Sequence, residues 1–123
     1  MRLAMLVASV VVSVPAHAQC LKPNVEGQAA QGQLTIGRAQ DANGRPERPY
    51  ILRLSANACL DADPPDDPVK ATRTIHVVPN ETLIAAFRQL TGKAVAVTGS
   101  PFGAHTAHHH APIVMMVSDI RAR

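Results

Sequence analysis

Two apolar segments decide the fold of this 123-residue chain, Lys93-Ala94-Val95-Ala96-Val97-Thr98-Gly99 and Ile113-Val114-Met115-Met116-Val117. They predict strands at residues 93–100 and 112–120. Both strands carry apolar residues on both faces, as expected for strands that a barrel and a covering helix bury from both sides. Between them lies the stretch His105-Thr106-Ala107-His108-His109-His110-Ala111-Pro112, which holds four of the six histidines. This stretch is predicted to connect the two strands.

Three further strands are predicted upstream, at residues 28–37, at 50–54 and at 71–78. Residues 57–61 either continue the second of these strands or cap its end. In the first, Leu34 and Ile36 alternate with polar residues, and interrupting glycines indicate a bulge or a sharp bend. In the second, Leu52 and Leu54 share one face. A turn is predicted around Asn43-Gly44, and residues 45–49 are predicted to be a loop.

One helix is predicted between the third and fourth strands. Asn80 is its expected N-cap, and Gly92 is expected to end it. The spacing of its apolar residues predicts a single stripe that faces the core. That stripe consists of Leu83, Ile84, Phe87 and Leu90.

The order of three strands, a helix and two strands is that of the OB-fold, a five-stranded Greek-key barrel. We therefore predict a mainly β, OB-fold-like barrel that forms one domain over residues 19–123. In such barrels the connection between strands four and five flanks the usual binding face. The histidine-rich stretch occupies that connection, although a fold analogy alone does not establish a function.

The N-terminus predicts a secretory signal peptide at residues 1–18. Met1-Arg2 supplies a positive charge, residues 3–14 are largely apolar, and Pro15-Ala16-His17-Ala18 provides small residues before a cut after Ala18. The apolar run is shorter than the roughly 20 residues of a membrane-spanning helix. The alternatives are a buried N-terminal element and a lipid anchor at Cys20, against which Gln19 argues. We expect an exported, periplasmic protein.

Composition weighs against nucleic acid as a partner. Removal of Arg2 with the signal leaves eleven Lys and Arg residues against nine acids, a net charge of +2. This charge is too small to support binding through the phosphate backbone. The only aromatic residues are Tyr50, Phe87 and Phe102, too few for a base-stacking platform.

The two cysteines, Cys20 and Cys59, both remain after cleavage, and in an exported protein such a pair predicts a disulfide. It would connect the mature N-terminus to the end of the second strand. Closing the chain between these two cysteines would stabilise the folded protein by about 3–4 kcal/mol, because it lowers the entropy of the unfolded chain. A pair of metal-binding or redox thiols is the alternative, but there is no C-x-x-C spacing.

Residues 61–68 form an acidic, proline-rich stretch with four aspartates and three prolines. Clustered carboxylates are ligands for calcium, but the glycine and glutamate of an EF-hand loop are missing. A solvated linker between strands is therefore the preferred interpretation, with the calcium site as its alternative.

The C-terminal part resembles a known family. The run from Leu90 to Gly99 and the run from Phe102 to Pro112 are similar to the pattern G-K-x-V-x-V-T-G … F-x-A-H-T-x-H-H-H-x-P-V of domain-of-unknown-function family 4431. The resemblance covers roughly residues 76–121. Ser100-Pro101 and Gly103 depart from the pattern. The resemblance supports a domain assignment and implies no activity, substrate or cofactor.

The histidines suggest a transition-metal site, because imidazole is a common ligand for zinc, copper and nickel. In an extended segment His108 and His110 would share one face, and His105 would return across the turn as a third ligand. His109 lies on the other face, and His76 would approach if strands three and five are neighbours. Two alternatives remain open, a structural or pH-responsive hydrogen-bond network and a solvated cluster.

No catalytic constellation is evident, so we do not predict an enzyme. Thr106 and Ser100 lie near the histidines without the context of a nucleophile, and the glutamates have no clear role in the motif. We predict a small exported binding module that holds a metal or another small ligand through the histidine-rich connection. The alternative is a structural or protein-interaction module of the cell envelope, in which the histidines only stabilise that connection. We expect a monomer that does not span the membrane once the signal is removed.

Overall fold

The computed structural model describes residues 19–123. The predicted signal peptide therefore lies outside the described residues. In this part of the chain, strands dominate and one short helix is present. The elements are β1 (Gln19–Leu21), β2 (Gln28–Ile36), β3 (Ala39–Gln40), β4 (Pro46–Glu47), β5 (Tyr50–Leu60), β6 (Val69–Pro79), a 3₁₀ turn (Glu81–Leu83), α1 (Ile84–Leu90), β7 (Ala94–Gly103) and β8 (Ile113–Ala122).

The five long strands close into a barrel. β2 pairs with β5, β5 with β6, β6 with β8, β8 with β7, and β7 returns to β2. All of these pairs are antiparallel except β6 and β8, which run parallel. Strands one to five of the barrel are thus β2, β5, β6, β7 and β8, with the third beside the fifth. The prediction of an OB-fold-like barrel is confirmed.

The first barrel strand, β2, pairs with a different neighbour in each half of its length. Residues 28–33 pair with β7, whereas residues 32–36 pair with β5. Gly32 belongs to both ladders and approaches β5 so closely that an added Cβ would lie 2.1 Å from the carbonyl oxygen of Arg53. A glycine is therefore required where the strand passes from one neighbour to the next.

Alternating apolar residues from the five strands fill the barrel, and α1 packs against this core. Phe87 is fully buried among them and packs edge-on against Tyr50, with 5.0 Å between ring centroids. Leu83 and Leu90 pack at the margin of this core, but Ile84 is 39% exposed, so the predicted stripe is narrower than expected. Leu83, Phe87 and Leu90 follow the i, i+4, i+7 spacing of one face, and Ile84 lies beside that face.

The predicted ends of this helical segment are confirmed. The Asn80 side chain accepts a hydrogen bond from the backbone N–H of Leu83 at 3.1 Å, which satisfies a donor at the start of the 3₁₀ turn. Gly92 adopts a positive φ of 85° directly after Thr91, the C-cap of the helix.

The predicted disulfide is confirmed. Cys20 and Cys59 are opposite residues in the parallel pairing of β1 with β5, and their sulfur atoms are bonded. The bridge fastens the start of the described chain to the end of the second barrel strand. A disulfide is compatible with an oxidising environment.

Residues 45–49 were predicted to be a loop, and this prediction is wrong in part. β3 and β4 form a short hairpin within the connection between the first two barrel strands. One Asp41 carboxylate oxygen accepts hydrogen bonds from the backbone N–H groups of Asn43 and Arg45 at 2.8 and 2.9 Å. Gly44 adopts a positive φ of 76° in the same turn. These contacts bring both sides of the turn into register, and they place Glu47 on a strand.

The acidic stretch crosses the surface between β5 and β6, and all residues from 63 to 68 are exposed. This position agrees with a solvated linker. Over residues 19–123, no helix has the length and apolar character needed to cross a membrane.

Candidate functional site

A row of three side chains crosses the outer face of the barrel. His76 on β6 lies opposite Val114 on β8, and Val114 lies opposite Phe102 on β7. Because strand side chains alternate, Ile113 and Met115 point into the barrel and Val114 points out of it. Val114 is nevertheless 0% exposed, although it does not belong to the interior core. The outer face must therefore be covered here.

The cover is the connection between β7 and β8, residues 104–112, which we call the histidine loop. Its conformation is a turn, with the backbone N–H of His109 donating to the carbonyl oxygen of Thr106 at 3.1 Å. The His109 ring packs edge-on against Phe102, with 5.2 Å between ring centroids. The His110 ring stacks on His76 at 5.7 Å. These contacts fold the loop back over the row of outer-face side chains.

The His109 side chain holds the turn through hydrogen bonds to its backbone. Its Nδ1 atom accepts hydrogen bonds from the backbone N–H groups of His105 at 3.0 Å and Thr106 at 3.3 Å. An accepting Nδ1 requires that this atom carry no proton. Burial lowers the pKa of His109, and the nearby imidazoles of His105, His108 and His110 lower it further. Its electrostatic surroundings therefore favour the neutral ring that the hydrogen bonds need.

His76 fastens the loop to the barrel in the same way. Its Nδ1 atom accepts a hydrogen bond from the backbone N–H of His110 at 3.2 Å. Burial lowers the pKa of His76, His110 and His109 lower it further, and the carboxylate of Glu47 opposes them. His76 is thus a neutral acceptor for the loop backbone.

His108 and His110 contact a different partner, Glu47 on the β3–β4 hairpin. The Nδ1 atom of His108 lies 2.7 Å from Oε1 of Glu47, and the Nε2 atom of His110 lies 3.6 Å from Oε2. The His110 Nε2 atom is buried and has no hydrogen-bond partner in the described part of the chain. One carboxylate thus connects the hairpin to the histidine loop, and these two connections flank the binding face of OB-folds.

Residues 74–121 match the model of a family described as Domain of unknown function (DUF4431). The resemblance seen in the sequence is confirmed. No curated protein and no solved structure matches this chain. The DUF4431 match runs from β6 into β8, so it includes His76, Phe102 and the whole histidine loop but leaves out Glu47.

The three residues predicted as metal ligands lie within the DUF4431 segment, where His108 and His110 share one carboxylate partner and His105 contacts other rings. The His105 ring contacts Phe102 and His109, with centroids 5.5 and 4.7 Å away, whereas His108 and His110 turn to Glu47. The assumption of an extended segment fails, because the loop turns at residues 106–109 and strand alternation does not apply to it. Over residues 19–123, no three His, Cys, Asp or Glu side chains are grouped so as to hold a metal ion.

Glu47 is the residue of this site that the sequence did not reveal. It lies 61 residues before His108 and outside the DUF4431 segment, in a stretch that reads as a charged loop. Its position in the connection between the first two predicted OB strands was the one available signal, since that connection and the histidine loop border the same face.

Proposed function

We propose that this protein is an exported interaction module whose recognition surface consists of the histidine loop and the β3–β4 hairpin. In this proposal the histidines build and hold that surface. The observation that carries it is the use of ring nitrogens as acceptors for backbone N–H groups, by His109 toward His105 and Thr106 and by His76 toward His110. A nitrogen lone pair engaged in this way is not free for a metal.

The fold supports a recognition role for this surface. OB-folds bind ligands with the loops that follow the first and fourth barrel strands, and here the Glu47 carboxylate connects those two loops. Fixing both loops before a ligand arrives lowers the entropy lost on binding. A fold shared with other proteins indicates where a site lies and not which ligand it binds.

Export is part of the proposal. The Cys20–Cys59 disulfide suits an oxidising compartment, and residues 1–18 have the pattern of a secretory signal. Together they favour the periplasm as the place where the module acts.

A second candidate function, transition-metal binding, is favoured by one specific observation. The buried Nε2 atom of His110 has no hydrogen bond in the described part of the chain, and it lies 3.6 Å from the Glu47 carboxylate that His108 also contacts. Two imidazoles and a carboxylate are ligands that zinc, copper and nickel accept. A metal would have to displace the short contact between His108 and Glu47, because the present arrangement leaves no common point for three ligands.

Thermal unfolding with and without zinc separates the two functions. The mature protein, purified without a histidine tag, is compared with a His108→Ala/His110→Ala variant, each in EDTA and in excess zinc. We expect the variant to unfold at a lower temperature in both buffers, with no zinc effect on either protein. A zinc-dependent rise in the unfolding temperature of the wild type that the variant lacks would refute the proposal and establish the metal site, because a ligand bound to the native state stabilises it.

A further inference from the structure

We infer that a cleft between Arg38 and Arg48 binds the oxyanion group of a small ligand, a carboxylate or a phosphate. The cleft has a volume of about 500 Å³ and is formed by both sides of the β3–β4 hairpin. The cleft is an open groove at the surface. The remaining lining residues are Ala39, Gln40, Pro46 and Glu47. The inference deepens the proposed function by giving the hairpin side of the recognition surface a ligand class.

Both arginines are available to a ligand. Arg38 follows β2 and Arg48 follows β4, so the paired hairpin strands bring the two to the same cleft. Both are exposed, and among residues 19–123 neither guanidinium forms an ion pair or a side-chain hydrogen bond. A guanidinium offers a planar set of donors that matches the two oxygens of a carboxylate or a phosphate.

The acidic residues of the hairpin are already engaged elsewhere. The Glu47 carboxylate lines the cleft but faces His108 and His110, at 2.7 and 3.6 Å. One oxygen of Asp41 accepts two backbone hydrogen bonds within the turn. The Glu47 carboxylate is thus engaged by the two histidines and forms no ion pair with either arginine in the described part of the chain, which leaves both guanidinium groups available to an anion.

The cleft composition also limits the kind of ligand. It contains no aromatic side chain, so stacking on a base or a sugar ring contributes nothing there. Recognition would rest on charge-assisted hydrogen bonds from the two arginines, and binding should weaken as ionic strength rises. A small anionic molecule, or the acidic group of a saccharide, fits these requirements.

The test is a titration of the mature protein with inorganic phosphate, with citrate and with a neutral disaccharide, followed by the backbone amide signals in NMR spectra. We expect phosphate, citrate or both to shift the signals of Ala39, Gln40 and Glu47, and the disaccharide to leave them unchanged. A response to phosphate alone assigns a tetrahedral oxyanion, and a response to citrate alone assigns a carboxylate. A response to neither anion overturns the inference.

Variants decide whether the arginines are responsible. Arg38→Gln/Arg48→Gln should weaken anion binding at least about tenfold, since a hydrogen bond to a charged group contributes more than one factor of ten. Arg73→Gln removes an exposed arginine on β6, outside the cleft, and should leave binding unchanged. An equal loss of anion affinity in the double variant and in Arg73→Gln would mean unspecific attraction and would overturn the inference. Because this experiment contains no zinc and changes no histidine, its failure is distinct from failure of the proposed function.

Discussion

The backbone N–H of His110 donates a hydrogen bond to Nδ1 of His76 at 3.2 Å, across 34 residues of sequence. The bond connects the histidine loop to a barrel strand, and the stacked rings of the same two residues cover the outer face beside it. Loss of a hydrogen bond between partly buried groups is costly, because the donor then stays desolvated without a partner. Two histidines of the cluster are therefore joined by a hydrogen bond and by ring stacking, an arrangement that the sequence alone did not distinguish from metal binding.

The first prediction concerns His109 as the acceptor inside the turn. His109→Ala removes the acceptor of two backbone N–H groups and the ring that packs on Phe102. We expect the free energy of unfolding to fall by about 1–3 kcal/mol, from two hydrogen bonds of about 0.5–1.5 kcal/mol each. Urea unfolding monitored by circular dichroism measures the change.

His105→Ala is the matched control. The His105 side chain contacts the rings of Phe102 and His109 but is exposed, and its ring forms no hydrogen bond within the described residues. His105→Ala should lower the free energy of unfolding clearly less than His109→Ala does. Equal effects of the two substitutions would mean that ring packing, and not the accepting nitrogen, holds the turn.

Much of the barrel follows from local patterns, whereas the site depends on distant pairs. Alternation at Leu52 and Leu54 marks a strand with one buried face, because period-two burial leaves a signal in neighbouring residues. The contact between Glu47 and His108 leaves no such signal, since 61 residues separate the partners and only the closed barrel brings them together. The two-residue strands of the hairpin were not predicted, because they carry no apolar alternation. The turn contacts of Asp41 and the positive φ of Gly44 fix them instead.

The pH dependence of stability is the second prediction. The pKa values of His76 and His109 are lowered in the folded protein, so the unfolded chain binds more protons than the native state below about pH 6.5. The free energy of unfolding should therefore be highest above that pH. It should fall as the pH decreases from about 6.5 toward the lowered pKa values. Urea unfolding over this range, in EDTA, measures the slope.

A variant without these two rings isolates their part of the slope. His76→Gln/His109→Gln cannot take up the protons in question, so its stability should change less between about pH 7.5 and 5.5 than that of the wild type. Glu47 opposes the lowering of the His76 pKa, and it is present in both proteins. Parallel pH profiles for the two proteins would contradict the assignment of neutral rings to the folded state.

The third prediction tests the close approach of β2 to β5 at Gly32. Gly32→Ala would place a Cβ 2.1 Å from the carbonyl oxygen of Arg53, a backbone atom that cannot move without separating β2 from β5. We expect a loss of about 3 kcal/mol or more in the free energy of unfolding. Gly103→Ala is the control, because its added Cβ would meet the nearest atom at an ordinary 3.7 Å and should change stability by less than about 0.5 kcal/mol. Similar midpoints for both variants in urea would show that β2 and β5 tolerate separation at Gly32.

The last prediction concerns the connection between the hairpin and the histidine loop. Glu47→Ala removes the carboxylate that His108 and His110 share. The cost in stability should stay below about 1 kcal/mol, because the His108 side chain is 68% exposed and exposed ion pairs contribute little. The hairpin should instead become mobile, with amide order parameters over residues 39–47 falling from about 0.85 toward 0.6 in NMR relaxation measurements. Glu26→Ala, which removes an exposed carboxylate between β1 and β2, should leave those order parameters unchanged. A hairpin that stays rigid without Glu47 would mean that the β3–β4 pairing and the Asp41 turn hold it unaided, and the two loops would then move independently.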